Sequence, residues 1–230
     1  MEHKSVRINR FLASCGLGSR RKCESYVTEG RVTINGEVPG LSATVDPKKD
    51  TVLLDGKPLT TVHIAYYVML HKPKGYITSV GDPFNRRTVR DLVDEKYWEA
   101  GVFPVGRLDK DTEGLLLLTN DGETAHRLMH PSFECSKTYQ VTLDRPLEEK
   151  DRMKVESGIR LREFHAQPCS ITNASAGGTR FELTITEGKK RQIRIVFKSL
   201  HYKVTHLKRI SLGPLHLGHL PKGHLRDLHK

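Results

Sequence analysis

The residues from Gly106 to Gly122 read GRLDKDTEGLLLLTNDG, a polar half followed by an apolar half. The apolar half, Leu115 to Thr119, lies between a glycine and the turn-forming sequence Asn-Asp-Gly, which predicts a buried strand. The polar half carries Asp109, Asp111 and Glu113 on a predicted loop that leads directly into this strand. Carboxylates on a loop that a buried strand holds rigid can be positioned for chemistry. Their spacing does not match a calcium-binding loop, so they predict no metal site.

The rest of the chain is that of a globular protein with a basic surface. Its 230 residues suggest one or two domains at about 150 residues each. The longest apolar run, Ile64 to Leu70, is far shorter than the ~20 residues of a transmembrane helix. The residues from Met1 to Arg10 carry charge throughout, which is unlike a signal peptide. We therefore expect no membrane association and a cytoplasmic location.

The cysteines fit the same location. Four are present and none forms a C-x-x-C pair, namely Cys15, Cys23, Cys135 and Cys169. This spacing does not predict a zinc ribbon. Reduced, packed thiols are the expected state in the cytosol.

Positive charge is concentrated near the two ends of the chain. Lys and Arg total 38 against 27 acids, a formal charge of +11. The segment from Thr186 to Lys230 has eleven Lys/Arg and two acids, and the segment from Val6 to Asn35 has six and two. Two basic segments that are interleaved with apolar residues indicate a surface for RNA or DNA.

The N-terminal segment predicts two helices and then strands. Ser5 to Ser14 has a helical apolar pattern, and Ser19 is a suitable N-cap for a second helix that Gly30 would end. Three basic residues in the first turn of that second helix suit a phosphate group. The sequence Asn35-Gly36 predicts a hairpin turn, and Thr51 to Leu54 predicts a further strand.

This segment resembles the S-four RNA-binding module. The resemblance rests on Arg7, Phe11, Leu12, Gly16, Ser19, Arg20, Gly30, Val32, Asn35 and Gly36. It implies a small α/β RNA-binding domain over residues 1–60. The RNA contacts it implies are Arg7, Arg20, Arg21 and Lys22. The alternative is a small helical hairpin that only packs on the rest of the chain.

The remainder closely resembles the RsuA/RluB family of ribosomal-RNA pseudouridine synthases. The run from Gly106 to Gly122 matches that family's signature almost residue for residue. The other matching positions follow in the family's order, at His130-Pro131, Lys137 to Tyr139, Glu187 to Arg194, Val204, Leu207, Arg209 and Gly213.

The resemblance implies an α+β fold and a reaction. Residues 61–230 would form a catalytic domain with a central, mostly antiparallel mixed sheet. It would convert a specific uridine of ribosomal RNA to pseudouridine without a cofactor or metal. The implied partner is ribosomal RNA or a ribosomal subunit precursor, and a monomer is expected. A stacked uridine cannot reach such a cleft, so the base must be flipped out or already unpaired.

The resemblance also assigns catalytic roles. Asp109 corresponds to the catalytic carboxylate, which glycosidic chemistry requires near the sugar, and Asp111 is the alternative assignment. Tyr139 corresponds to an active-site tyrosine that can stack on the detached base, although a strand tyrosine is the simpler interpretation. Arg194 corresponds to a basic partner that would form an ion pair with Asp109.

Further residues are expected around this centre. Leu118 and Ile193 are predicted to pack near the base. The expected contacts to the RNA backbone are Arg107, Lys110, Lys189, Lys190 and Arg191. For Arg107 or Lys110, the alternative is a structural pair with Glu113.

Two other functions remain open from the sequence. A non-catalytic ribosomal-RNA-binding or ribosome assembly factor could retain the same fold. A nucleoside glycosidase would need a second carboxylate as its acid, and Glu113 is the candidate.

Overall fold

The computed structural model describes residues 5–60 and 64–228, and the chain separates into two compact units. One unit extends to Tyr66 and includes the segment Asp94–Phe103, and the other comprises the remaining residues from Tyr67. The segment in which a domain boundary was expected, residues 60–64, lies partly outside the described residues.

The N-terminal unit is built from short strands and three helices. Its elements are β1 Val6–Arg7, α1 Ile8–Ser14, α2 Arg20–Thr28, β2 Val32–Ile34, β3 Thr44–Val45, β4 Val52–Leu54, β5 Lys57–Pro58 and α3 Glu95–Glu99. Helix α1 begins later than predicted because Val6 and Arg7 pair with β3 as a strand. Helix α2 begins as predicted, with the Ser19 hydroxyl accepting a hydrogen bond of 3.2 Å from the amide of Lys22.

The predicted turn at Asn35-Gly36 is confirmed. Both residues have positive φ, 52° and 91°, as a tight type I′ turn requires. Strand β2, which precedes the turn, pairs with β4 rather than with a strand directly after the turn. The turn itself is closed by the bridge between Ile34 and Glu37. The apolar sides of these elements form a core of Ile8, Phe11, Leu12, Cys23, Val27, Val32, Val45 and Val52.

The second unit contains the larger sheet, its connecting helices and a separate two-stranded sheet. Its elements are β6 Tyr67–Lys72, β7 Phe103–Pro104 (which starts one residue before this unit), β8 Glu113–Thr119, α4 Gly122–Met129, β9 Lys137–Leu143, α5 Glu149–Glu156, β10 Ile159–Arg160, β11 His165–Ala166, β12 Ser170–Thr172, β13 Arg180–Ile185, α6 Gln192–Ser199, β14 Val204–Leu212, β15 Leu215–His216 and β16 Leu225–Asp227. Strands β10 and β11 form the two-stranded sheet. Two turns of 3-10 helix lie at Val89–Leu92 and Pro131–Phe133.

These strands form a mixed sheet in the order β12-β13-β9-β14-β8-β6-β16. Strands β14 and β8 are parallel, and the other neighbours in this order are antiparallel. The predicted mostly antiparallel mixed sheet is therefore confirmed. All seven residues of β8 are buried, which is why its sequence is almost continuously apolar.

The parallel contact between β8 and β14 requires a glycine. Gly114 has a φ of +112°, and a Cβ there would overlap the backbone of Arg209 on β14. The close approach brings the start of β8, immediately after the predicted catalytic loop, against the middle of β14. Strand β8 begins at Glu113, so this residue belongs to the sheet rather than to the loop on which it was predicted.

The four cysteines are free thiols. Burial raises the pKa of Cys15, Cys23 and Cys169 to about 11, so these thiols are protonated and unreactive at neutral pH. Within the described ranges, every helix is too short or too polar to cross a membrane.

Candidate active site

A cleft of about 930 Å³ opens beside the start of β8. Its walls come from the predicted catalytic loop, the end of α4, β9, the loop before α6, and β14. Among the residues that line it are Arg107, Asp109, Tyr139, Arg191 and Arg194. A cleft of this size can enclose a nucleotide-sized ligand.

Asp109 lies on a loop that is anchored from several sides. The amide of Gly75 donates to the carbonyl of Lys110 at 2.8 Å. The Thr78 hydroxyl donates to the carbonyl of Leu108 at 2.9 Å and accepts from its amide at 3.1 Å. The loop therefore has little freedom to move the Asp109 carboxylate, whose side chain retains 27% exposure toward the cleft.

A buried lysine completes this anchoring, and its role was not predicted. Lys72, the last residue of β6, is fully buried and donates from Nζ to the carbonyls of Thr112 at 2.8 Å and Pro73 at 3.0 Å. Burial lowers the pKa of Lys72 to about 8, against the opposing effect of the nearby acids Asp109 and Asp111. The only sequence signal for it is a lysine two residues after the apolar run from Tyr66 to Leu70.

The ion pairs at the cleft differ from the predicted ones. Arg194 does not pair with Asp109; its Nε lies 3.2 Å from Oδ2 of Asp111. Its other nitrogens donate to the carbonyls of Asp111 and Val204, each at 3.0 Å. Among the described residues, the cation within ion-pair distance of Asp109 is Arg191, whose Nη1 lies 3.8 Å from Oδ2 of Asp109. The physical reason is that Arg194, on α6, donates to the carbonyl of Val204 at the start of β14. From this position its guanidinium meets Asp111, the more exposed of the two aspartates.

Arg191 joins the two acids. It donates to both carboxylate oxygens of Asp111, at 3.1 and 3.3 Å, and also faces Asp109. Burial alone would raise the pKa of Asp111, but the hydrogen bond from Arg191 and the charges of Arg194 and Arg191 lower it. Asp111 is thus held as a structural anion, whereas Asp109 keeps one longer contact.

Tyr139 lies deep in the cleft. It is buried in β9, between Arg209 of β14 and Leu183 of β13 in the strand register. Arg209 is itself buried and donates from Nε to the carbonyl of Leu115 at 2.8 Å. Tyr139 is therefore a strand tyrosine that also lines the cleft, and its active-site role stays a prediction.

A family model described as RNA pseudouridylate synthase matches residues 66–199, which include the whole anchored loop and its arginine partners. The chain belongs to the RNA pseudouridylate synthase family. It is 41% identical over 203 residues to an uncharacterized RNA pseudouridine synthase of Aquifex aeolicus (strain VF5), with 86% of this chain and 80% of the relative covered.

Two further comparisons agree with this family. The synthase is 36% identical over 202 residues to the ribosomal large subunit pseudouridine synthase B of Bacillus subtilis (strain 168), covering 86% of this chain and 82% of the relative. A crystal structure of a pseudouridylate synthase is 32% identical, with a TM-score of 0.71 and coverage of 98% and 96%. The protein is accordingly an enzyme that isomerises uridine in RNA to pseudouridine.

Glu113, at the start of β8, has different partners from those of Asp109 and Asp111. Its buried carboxylate accepts from His206 at 2.8 Å and from Lys222 at 3.1 Å. The alternative in which Arg107 or Lys110 pairs with Glu113 is not what the structure shows, because those two residues lie on the loop and Glu113 is inside the sheet. Glu113 is also unsuited to act as the acid of a glycosidase, since one of its oxygens accepts from the His206 ring and the other from the Lys222 ammonium.

The loop before α6 is organised by Glu187. Its carboxylate accepts from the amide of Gln167 at 2.9 Å, from the side chain of Gln192 at 2.5 Å and from Nζ of Lys189 at 2.7 Å. Lys189 also donates to the carbonyl of His165. Of the two lysines expected to contact RNA here, Lys189 is thus engaged within the protein, whereas its exposed neighbour Lys190 has no ion pair with a described residue.

The remaining predicted residues divide between the cleft and other places. Ile193 is buried and lines the cleft, whereas Leu118 is fully buried in β8 and is not among the described residues of the lining. Arg107 lines the cleft, and Lys110 is exposed on the loop. The N-terminal basic residues belong to the other unit, where Arg20, Arg21 and Lys22 are exposed on the first turn of α2.

Proposed function

We propose that this synthase acts on a uridine of ribosomal RNA and that Asp109 is its catalytic carboxylate. The observation that carries the assignment is the anchored position of Asp109 at the cleft, with Arg191 at 3.8 Å and a partly exposed carboxylate. Two other acids line the cleft. Glu187 is engaged by three donors, and Glu134 lies on an exposed turn.

The reaction exchanges one bond to the ribose for another. The bond between C1′ and N1 of uracil breaks, the base turns in the cleft, and a bond between C1′ and C5 forms as C5 loses its proton. Asp109 is the carboxylate that would attack the sugar, attack the base or remove a sugar proton. Tyr139 offers a ring on which the detached base can stack. Neither the breaking of the bond to N1 nor the formation of the bond to C5 requires a cofactor or a metal.

Several features support ribosomal RNA or a ribosomal subunit precursor as the partner. The relative from Bacillus subtilis is named for the large ribosomal subunit, and the match covers most of both chains. The charge of +11 suits a polyanion. One chain supplies a complete cleft, so we propose that the protein acts as a monomer, in the cytoplasm where its substrate is made.

We further propose that residues 1–60 form an S-four-like RNA-binding domain beside a catalytic domain of residues 61–230. Its support is the exposed basic turn of α2, which the Ser19 cap orders. Arg31, in contrast, is bound by Asp55 and Glu29 and stacks on Tyr26. Arg7, Arg20, Arg21 and Lys22 are the proposed phosphate contacts.

The catalytic assignment is tested by the release of tritium from RNA labelled at C5 of uracil. We expect Asp109→Asn to lower the rate by at least ~10³-fold while RNA affinity changes by less than about twofold. The matched control is Asp111→Asn, which removes a structural anion from the same loop and is expected to retain more activity. Wild-type turnover by Asp109→Asn would overturn the assignment. Pseudouridine mapping in ribosomal RNA from cells with and without the protein tests the substrate.

A further inference from the structure

An exposed loop, residues 79–87, projects from the segment that anchors the catalytic loop. Its two ends are held together, since the amide of Ile77 donates to the carbonyl of Arg87 and the amide of Val89 donates to that of Ile77, each at 3.0 Å. Thr78, at its base, is hydrogen bonded in both directions to Leu108, the neighbour of Asp109. The loop is therefore fixed to the backbone of the catalytic site.

The loop is ordered internally by Asp82. The side chain of Asp82 is only 4% exposed and accepts from the amides of Phe84 at 3.1 Å and Arg86 at 2.9 Å and from the Arg86 guanidinium. The hydrogen bonds from Arg86 lower the pKa of Asp82 to about 2, so this clamp is intact at neutral pH. Pro83 and the left-handed conformation of Asn85, at a φ of 52°, further restrict the backbone.

This ordered loop exposes the aromatic ring of Phe84 to solvent. Phe84 is 75% exposed, more than any other large apolar side chain among the described residues. The Arg86 guanidinium lies over its ring at 5.2 Å, and Arg87 lies over the ring of Tyr76 at 5.9 Å. Exposed rings that alternate with guanidinium groups are the surface on which unpaired bases stack, with the cations facing phosphates.

We propose that Phe84 is a stacking contact for an unpaired base of the substrate RNA, outside the cleft that receives the target uridine. The proposal rests on RNA being the substrate. Another protein is the less favoured occupant, because Arg87 is exposed on the same loop as the ring, and a base with its phosphate satisfies the ring and this charge together. The rigid loop would lose little conformational entropy on binding.

The test measures RNA affinity and tritium release for Phe84→Ala and Phe84→Trp. Stacking is worth about 1–3 kcal/mol per base, so Phe84→Ala should weaken RNA binding by roughly 5- to 150-fold, with the rate at saturating RNA within about twofold of wild type. Phe84→Trp, which keeps an aromatic ring at this position, should bind RNA about as tightly as the wild type. The wild type has a single tryptophan, Trp98. Additional tryptophan quenching by RNA in Phe84→Trp then reports stacking at residue 84 directly.

The matched control is Phe133→Ala, which removes another exposed phenylalanine, 53% exposed, and should change affinity by less than about twofold. Unchanged RNA affinity in Phe84→Ala, or no additional quenching in Phe84→Trp, would overturn the proposal and leave protein docking as the use of this ring. Failure of the proposed function is seen separately, as an absence of tritium release by the wild type on ribosomal RNA.

Discussion

The two basic regions of this synthase both have an excess of Lys and Arg, and they differ in what these charges contact. On α2, Arg20, Arg21 and Lys22 are exposed, and none has an ion pair with a described residue. Around the cleft, Arg191 and Arg194 bind the acids of the catalytic loop, and Lys189 binds Glu187.

The difference separates two uses of positive charge. A cation whose partner is an internal carboxylate or carbonyl holds the backbone in place, and it offers little to a phosphate. A cation without an internal partner keeps its charge available for RNA and releases counterions on binding. The cleft therefore depends on its arginines for geometry, whereas the α2 turn is suited to affinity.

The largest effect expected from this difference is that of Arg194→Met. The side chain of Arg194 is 13% exposed and holds two carbonyls and the carboxylate of Asp111. We expect the rate of tritium release to fall by about 10²-fold or more, and the free energy of unfolding to fall by about 2–3 kcal/mol. Arg191→Met, at a side chain 43% exposed, should cost less than about 1 kcal/mol of stability. Equal stability of the two variants would contradict the distinction.

The second prediction concerns the buried Lys72. Its pKa is about 8 in the folded protein against 10.5 ordinarily, so between these values the unfolded chain binds more protons. The stability of the wild type should therefore rise with pH across this window. Relative to Lys72→Met, the gain should be roughly 2–3 kcal/mol between pH 7.5 and pH 10, measured by urea unfolding.

Lys74→Met is the matched control for this measurement, since Lys74 is exposed two residues further along the chain. Its stability should follow the wild-type pH dependence throughout. Parallel curves for the wild type and Lys72→Met would show that the Lys72 ammonium is not buried as described.

The smallest effect is expected on the salt dependence of RNA binding. Replacement of Arg20, Arg21 and Lys22 by alanine should lower the slope of log affinity against log salt by about 2, or ~0.7 per lost phosphate contact. Lys189→Ala should leave the slope nearly unchanged, because Glu187 already neutralises that charge. Affinities measured at several salt concentrations check both.

Lys190→Ala sharpens the same comparison. Lys190 is exposed beside Lys189, and its loss should lower the slope by about 0.7. If Lys189→Ala and Lys190→Ala change the slope equally, internal pairing does not decide which cations contact RNA.

Much of the local structure could be predicted from the sequence. The apolar run at Leu115 to Thr119 is a buried strand, Ser19 is the cap of α2, and Asn35-Gly36 is a tight turn. Each of these depends on contacts between neighbours in the chain or on burial of a continuous apolar run. The predicted residues Asp109 and Tyr139 also line one cleft, although their catalytic roles stay predictions.

The partners of the charged residues could not be predicted in this way. Arg194 was expected to meet Asp109 and instead meets Asp111, and Glu113 binds His206 and Lys222. Each of these contacts joins segments about a hundred residues apart, so each depends on the register between β14 and β8 and on where α6 and the C-terminal segment pack. No local pattern encodes that register.

By itself, the sequence indicated the class of fold and the family, because a long, specific motif resembles that family. It also indicated the position of the loop that carries Asp109, because a continuous apolar run follows that loop directly. Only the tertiary structure decided which charges are structural and which are available to RNA. The physical reason is that lysines and arginines have the same charge along the chain. Lys72 belongs to the scaffold because it is buried on two backbone carbonyls, and Lys189 and Arg194 belong to it because each has a carboxylate within ion-pair distance.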